Sequence, residues 1–503
     1  MRQAMRRMLF ASHGFRKAES STYQSPPVHY NLKLNETKTT IRTESCRLFN
    51  VNELIILDLL PKLEAASPSD NEKIIQDFFQ ILIAEPAFDP SYEKHLEQAL
   101  KFLYKRHPTL RAYFARDEEG PKRVYAEEPE KIPFEKHMLQ CTLSSPDLRA
   151  FLHTKIDGME NQKKVLDKVP SRWYFIQTLD SKVLFYYSHH GFIDTESIRM
   201  LGNELHHFCR KLAENKETTY EEATKDLAKI ASYEEVVRKA CETQDSKKEA
   251  LFNDLKPVFE SLNLDKLGVL WAAPSEKPEI SRPIIVHRLY SDASVKFIKA
   301  NKLDTNKVVR TIFQLALHNV FKVDSPIIPF AKLNGRRPDY AKGVSCCWVN
   351  GHLLYQDVNP GNTFLEQYAA NSRHNKEILT KFGDIDAKKT LDTLTEVLGK
   401  DCFPKICYHF LPINPRESKW IESFWLLDEY DTYGFNLYFE LLDDQKRERY
   451  EFMLVYDKTI FDSLTMTRLM TYIMTALDNL EGLLQTKVGD MTEEKVLGLF
   501  LKK

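Results

Sequence analysis

The residues best placed to do chemistry in this 503-residue chain are two adjacent histidines and an aspartate, in the pattern His189-His190-x-x-x-Asp194. Just before them, Val183-Leu184-Phe185-Tyr186-Tyr187 is apolar throughout, as a central strand buried on both faces would be. Just after them, Ile198, Leu201, Leu205, Phe208, Cys209 and Leu212 keep a helical spacing. The histidines therefore stand where a buried strand ends and a helix begins, a junction held rigidly yet open to a cleft. An imidazole with an ordinary pKa near ~6.5 takes up a proton at neutral pH, so a general base is the natural role. Successive strand residues point to opposite faces, and only one of the two histidines faces a given cleft.

The same residues admit plainer readings. Asp194 directly precedes a helix, where aspartate is a favoured N-cap. A second pair, His206-His207, lies within that helix with no matching acid and is assigned no role. Two histidines and an acid could ligate a divalent ion. Adjacent strand residues diverge, however, and the chain has no H-E-x-x-H helix, so no metal is expected. Neither a G-x-S-x-G elbow nor a Walker-type phosphate loop is present.

The elements around the pattern follow from periodicity. Leu54, Leu57, Leu60 and Leu63 suit a helix face. A second helix is expected over Tyr92–Lys105, ended by Pro108. Trp173–Thr178 and Lys182–Ser188 read as paired strands joined by the turn Leu179-Asp180-Ser181. Residues 213–262 are charged and helix-prone, and prolines at 274, 278 and 283 mark a boundary near 270–282. Beyond it come a strand over Ile284–Tyr290 and helices over Ala293–Asn301 and Thr305–Phe321. Strands over Phe435–Glu440 and Glu451–Tyr456 and a helix over Ser463–Leu484 complete the pattern. Strands and helices mix in both halves, which predicts an α/β or α+β fold in two lobes. The expected division is an extension over residues 1–43, a first lobe over 44–270 and a second over 271–503.

Composition narrows the class. Lys and Arg total 71 against 72 Asp and Glu, a formal charge of -1, without the basic excess of a nucleic-acid binder. The hydrophobic content of 43% is that of a globular protein with a sizeable core. None of the eight cysteines forms a C-x-x-C pair, which fits reduced thiols in a cytoplasmic protein. No stretch reaches the ~20 apolar residues of a transmembrane helix. The first 18 residues carry Arg2, Arg6, Arg7, Arg16 and Lys17 and no acid. Such a start has two readings, a surface arm or a mitochondrial targeting segment.

Several separated segments together resemble the H-x-x-x-D acyltransferase superfamily, which spans condensation domains of nonribosomal peptide synthesis, plant BAHD enzymes, alcohol acetyltransferases and chloramphenicol acetyltransferase. The resemblance covers roughly residues 44–490. Arg106-His107-Pro108-Thr109-Leu110-Arg111-Ala112-Tyr113-Phe114 resembles R-H-x-x-L-R-x-x-F, and Ser188 to Asp194 resembles the H-H-x-x-x-D-G core with Thr195 in place of its glycine. Asn334-Gly335-Arg336 resembles an N/D-G-R segment of the second lobe. Trp348-Val349-Asn350 resembles the F-V-N of condensation domains, with Cys346 where they carry glycine. Tyr456-Asp457-Lys458-Thr459-Ile460-Phe461-Asp462 resembles their Y-D-x-x-x-F-D. The plant D-F-G-W-G is not matched by the nearest string, Asp431-Thr432-Tyr433-Gly434-Phe435.

The resemblance implies two chloramphenicol-acetyltransferase-like lobes with a tunnel between them, and a transferase acting on a thioester, as in secondary metabolism. It implies His190 as catalytic base, His189 as its support, and Asp194 as a structural acid paired with Arg336 beside Asn334 and Gly335. Trp348 and Asn350 are expected to border the substrate. No tightly bound cofactor is expected. The donor is acyl-CoA or another phosphopantetheine thioester, the acceptor a small-molecule hydroxyl or amine. The leading expectation is an acyl-CoA-dependent monomer, because no carrier segment is visible. The alternatives are a stand-alone condensation enzyme served by an acyl carrier protein, and a catalytically silent binding protein of the same fold.

Overall fold

The computed structural model describes residues 79–84 and 90–500 apart from 118–119, 130, 144, 161–170, 190–191, 261–267, 273–274, 276–277, 324–329, 334–338, 347, 349, 355–357, 384, 386–389, 391–394, 398–404, 414–420, 423–434 and 446. The leucine-spaced helix expected over 54–63 and the basic N-terminal segment lie outside the described residues.

The first sheet holds β1 (Phe79–Ala84), β4 (Phe134–Met138), β5 (Arg172–Gln177), β6 (Lys182–His189) and β11 (Ile421–Glu422), in the order β11-β1-β6-β5-β4. β6 runs antiparallel to both β1 and β5, so it is the central strand that its apolar run predicts. Its alternation supplies two cores. Leu184 and Tyr186 pack with Trp173 and Phe175 beneath α1 (Leu96–Arg106) and α3 (Thr195–Glu214). Val183 and Phe185 pack with Tyr174 and Ile176 beneath α2 (Pro146–Glu160). Each fully buried side chain of this size contributes about 1.5–3 kcal/mol of transfer free energy. β2 (Ala112–Asp117) and β3 (Gly120–Tyr125) form a separate hairpin after α1.

The helix expected over Tyr92–Lys105 opens as a tighter turn over Pro90–His95 and continues as α1, stopping at His107 before Pro108. The charged stretch becomes α4 (Tyr220–Thr224) and α5 (Tyr233–Glu260), with Pro257 in the last turn of α5, where a missing N–H costs little further helix. The first turn of α4 is closed by a reciprocal capping box between Thr219 and Glu222.

The second sheet has the order β7-β13-β12-β10-β8-β9. It is built from β7 (Ile284–Leu289), β8 (Phe330–Leu333), β9 (Asn350–Leu353), β10 (Ile406–Ile413), β12 (Leu437–Asp444) and β13 (Arg449–Tyr456). β10 is parallel to β8 and β12, and the remaining pairs are antiparallel. One face, with Tyr408, Phe439, Phe452 and Leu454, packs against α7 (Thr305–Phe321) and α9 (Ser463–Asp478) through Ile312, Phe313, Leu469 and Ile473. Around them lie α6 (Ala293–Ala300), α8 (Phe364–Phe382), α10 (Leu480–Leu483) and α11 (Glu493–Phe500). The single helix expected over Ser463–Leu484 is broken at Asn479, whose amide donates to Thr475 O at 2.7 Å. Such a back-bond competes with the helical ladder and lets the chain turn.

The two sheets are not cleanly divided along the chain. β11, which follows β10 of the second sheet, pairs antiparallel with β1 and closes the edge of the first. A further apolar cluster unites α5 with later residues: Tyr233, Val236, Val237 and Ala240 pack with Ala341, Val344, Cys346 and Trp348. The mixed layers are those of an α/β (α+β) fold.

At the end of the second sheet's helical layer, Glu493 accepts from Nε and a terminal nitrogen of Arg468, both at 2.6 Å, and ties α11 to α9. The side chain of Glu493 is almost wholly buried, and its bond holds the Arg468 pKa above its ordinary value. Replacing Glu493 by alanine leaves the guanidinium without this fork. The expected loss is about 1–3 kcal/mol in urea unfolding, with an unchanged dependence on denaturant.

Candidate active site

The site is best built from Asp194. It is 2% exposed, has extended backbone angles (φ −120°, ψ 174°) and caps α3, its Oδ1 accepting from Ser197 N at 2.7 Å. The N-cap reading of this residue is therefore correct. Its second oxygen does something the local sequence does not announce: Oδ2 accepts from the backbone N–H of Trp348 at 2.7 Å, 154 residues away. Both donors are backbone N–H groups, so each carboxylate oxygen has a main-chain partner.

Ser197, one turn into α3 and fully buried, repeats the pattern. Its Oγ donates to Cys346 O at 2.6 Å and lies 3.1 Å from Cys346 N, a second donor aimed at the same hydroxyl. Thr109, in the first motif, donates its hydroxyl to Ser345 O. Segment 345–348 thus lies across the start of α3, stitched to it by main-chain groups that no composition signal marks. Gly343 turns the chain into this segment with φ 78°, a conformation that glycine adopts without strain.

The expected residues fall into place unevenly. His189 ends β6 opposite Phe79, while its side chain and all of His190 lie outside the described residues. Phe192 and Ile193, between the histidines and Asp194, are buried. Asn334, Gly335 and Arg336 follow β8 directly in the chain and lie outside the described residues, so the expected Asp194–Arg336 pair does too. Trp348 is buried in the α5 cluster, and what it offers Asp194 is its backbone N–H. Asn350 begins β9 opposite Leu333, with its side chain outside the described residues. The second histidine pair stays structural: His206 meets the Tyr92 ring edge-on, and Nε2 of His207 lies 2.9 Å from Ala223 O.

The first motif is an anchor for α3. Glu204, two turns past Ser197, receives Arg106 Nε at 2.8 Å and lies 2.7 Å from Nε2 of His107. A terminal nitrogen of Arg106 donates to Ala228 O at 2.7 Å. Arg111, its pKa lowered by burial, donates to Ala126 O at 2.8 Å and closes the base of the β2–β3 hairpin. The closing motif is likewise a joint. Asp457 accepts from Glu279 N at 3.0 Å and Thr459 N at 2.9 Å, and Asp462 caps α9 through Thr465 N at 2.9 Å. Sequence reasoning missed Ser197 and Glu204. An acid on the apolar stripe of α3, next to Leu205, was the available signal for Glu204.

Among the described residues, no group of three or more His, Cys, Asp or Glu side chains could hold a metal ion. The described cysteines at 141, 209, 241, 346 and 407 form no disulfide with one another, and burial pushes the Cys209 thiol up to about 12, making it inert. No described helix is long and apolar enough to cross a membrane.

Two outcomes follow from these bonds. Asp194→Asn places an amide nitrogen against one of two N–H donors, and Asp194→Ala removes both acceptors. Each is expected to cost about 1–3 kcal/mol in urea unfolding, Asp194→Ala losing activity together with stability. Glu204 supplies the pH dependence. Burial alone would raise its pKa, but His107 and Arg106 outweigh it and hold the carboxyl below its ordinary value. Its contribution is then complete above the unfolded value near ~4.3 and is lost as pH falls through the lowered folded value. The stability gap between wild type and Glu204→Gln is expected to be widest above about pH 5 and to close on acidification, read from urea midpoints along a pH series.

Comparison with known proteins places this geometry. The family model of the condensation domain matches residues 79–342, more than half of the chain. No curated protein sequence matches the chain. The first condensation domain of the calcium-dependent antibiotic synthetase, in complex with a substrate analogue, superimposes with a TM-score of 0.62 at 14% identity, over 89% of this chain and 99% of that one. The X-domain from teicoplanin biosynthesis gives 0.62 at 15% identity, over 90% and 98%. The condensation domain of the monacolin K polyketide synthase gives 0.62 at 11% identity, over 88% and 98%. At these identities the structures speak for the fold, and the family model speaks for descent. With its H-H-x-x-x-D aspartate bound to the F-V-N-like segment in a fold of this kind, the chain belongs to the condensation-domain family.

Proposed function

We propose that this chain is a condensation-type acyltransferase that moves an acyl group from a phosphopantetheine thioester to an amine or hydroxyl acceptor, with His190 as general base. The observation that carries this reading is the bond from Trp348 N to Asp194 Oδ2. It brings two motifs 154 residues apart in the chain to one point, as a site shared between lobes requires. The lobes are proposed as residues 44–270 and 271–503, with β11 crossing from the second to the first.

In the proposed reaction the acceptor nitrogen or oxygen attacks the thioester carbonyl. Its proton passes to His190, the tetrahedral oxyanion collapses, the C–S bond breaks, and the departing thiolate takes up the proton. A hydroxyl depends on the base more than an amine does, because it is the weaker nucleophile until deprotonated. His189 supports the base. Arg336, beside Asn334 and Gly335, pairs with Asp194 and keeps the strand-to-helix turn in shape. Trp348 and Asn350 border the acceptor side.

Carrier protein and coenzyme A present the same phosphopantetheine thioester. Membership of the condensation-domain family favours the carrier protein as donor, over the acyl-CoA that the sequence alone suggested. The test is thiol release from acyl-loaded carrier proteins and from acyl-CoAs, with mixed amine and hydroxyl acceptors, in wild type and His190→Ala. Acceptor-dependent release from carriers that falls at least ~100-fold in the variant is expected. Release insensitive to His190→Ala removes the base assignment. Release from acyl-CoA alone reverses the choice of donor, and release from neither makes the chain a silent binding protein.

A further inference from the structure

Arg123, on β3, is 1% exposed and has no place in any motif of the reaction. Its guanidinium carbon lies 4.0 Å from the ring centroid of Tyr233, 5.1 Å from that of Phe192 and 5.8 Å from that of Tyr125. The three rings come from three elements. Tyr125 is two residues along the same strand and so on the same face, Tyr233 is the first residue of α5, and Phe192 belongs to the turn between His190 and Asp194. A planar, weakly hydrated guanidinium stacks on aromatic faces as an ammonium does not.

We propose that Arg123 is a positioning residue for His190, holding the catalytic turn through Phe192. This rests on the assignment of His190 as base. The turn has two described anchor points, one two and one four residues past His190. Asp194 is fixed by Ser197 N and Trp348 N, and Phe192, 1% exposed, is fixed against the Arg123 guanidinium. The two anchors hold both ends of the segment Phe192-Ile193-Asp194, which begins two residues past His190 in the chain. The two anchors are themselves joined, because Tyr233 of the cage and Trp348 share the α5 cluster. A shift of about 1 Å in a reacting group costs on the order of 100-fold in rate, so a small loosening here reads out in turnover.

The experiment uses the full chain and four variants: Arg123→Met, Arg123→Lys, Phe192→Leu, and Glu493→Ala as a control destabilised far from the site. Two quantities are measured, kcat and KM on the thioester, and the rate at which diethyl pyrocarbonate modifies His190, read by fragment mass spectrometry. Arg123→Met is expected to lower kcat about 30-fold with KM within about two-fold, and Arg123→Lys, which keeps the charge without the planar stack, to recover part of the loss. Phe192→Leu is expected to act in the same direction, and combined with Arg123→Met to add little further. The His190 modification rate is expected to change at least about five-fold in Arg123→Met and Phe192→Leu and to stay put in Glu493→Ala.

Unchanged kcat and modification rate in folded Arg123→Met, or lysine no better than methionine, overturns the proposal. Should Arg123→Met not fold, Phe192→Leu decides on the same two readouts, loss supporting and retention overturning. Should wild type turn over no thioester, the modification rate decides by itself. A selective change then keeps the positioning role while the proposed reaction falls.

Discussion

A buried carboxylate is costly unless its oxygens find donors, and Asp194 meets that requirement with one oxygen on each side of the molecule. Oδ1 closes the N-terminus of its own helix, and Oδ2 takes the N–H of Trp348, 154 residues further along the chain. The first bond is available to any helix that starts with aspartate. The second exists only when segment 345–348 lies across that helix start. The geometry of the strand-to-helix turn and the contact between these distant segments are thus one constraint, and a change that loosens either loosens both.

The helix that Asp194 begins is held along its length by the other motifs. Ser197 binds the main chain of Cys346, and two turns later Glu204 takes Arg106 and His107. The R-H-x-x-L-R segment, which carries part of the family resemblance, serves to clamp this helix against α1. The Y-D-x-x-x-F-D segment plays the corresponding part in the second half, where Asp457 ties the strand end to Glu279 and Asp462 caps α9. Most of the polar residues that make the chain resemble its family are therefore scaffold. They share one physical task, which is to give buried polar groups a partner, at helix and strand ends and at Glu204 along α3.

The central strand explains why the turn sits where it does. β6 is buried on both faces, by Leu184 and Tyr186 on one and Val183 and Phe185 on the other, and its register against β1 runs to His189. A slip by one residue would carry each set into the core shaped for the other. The register therefore fixes where the strand ends, at His189, five residues before the cap at Asp194.

The sequence by itself determined whatever depends on neighbours a few residues away. The strand pair before the histidines, α3, the N-cap at Asp194, α7 to its last residue and the mixed two-lobed class all follow from apolar period and capping chemistry. Only the tertiary structure decided what depends on distant partners: the reach of Trp348 to Asp194, of Ser197 to Cys346 and of Arg106 to Glu204, the pairing of β11 with β1, and the aromatic cage of Arg123. The physical reason is that periodicity records which face of an element is buried and leaves open what buries it. A buried polar side chain looks the same in sequence as an exposed one, and its partner is chosen by the packing of layers and by the loops that bring main-chain N–H groups to it.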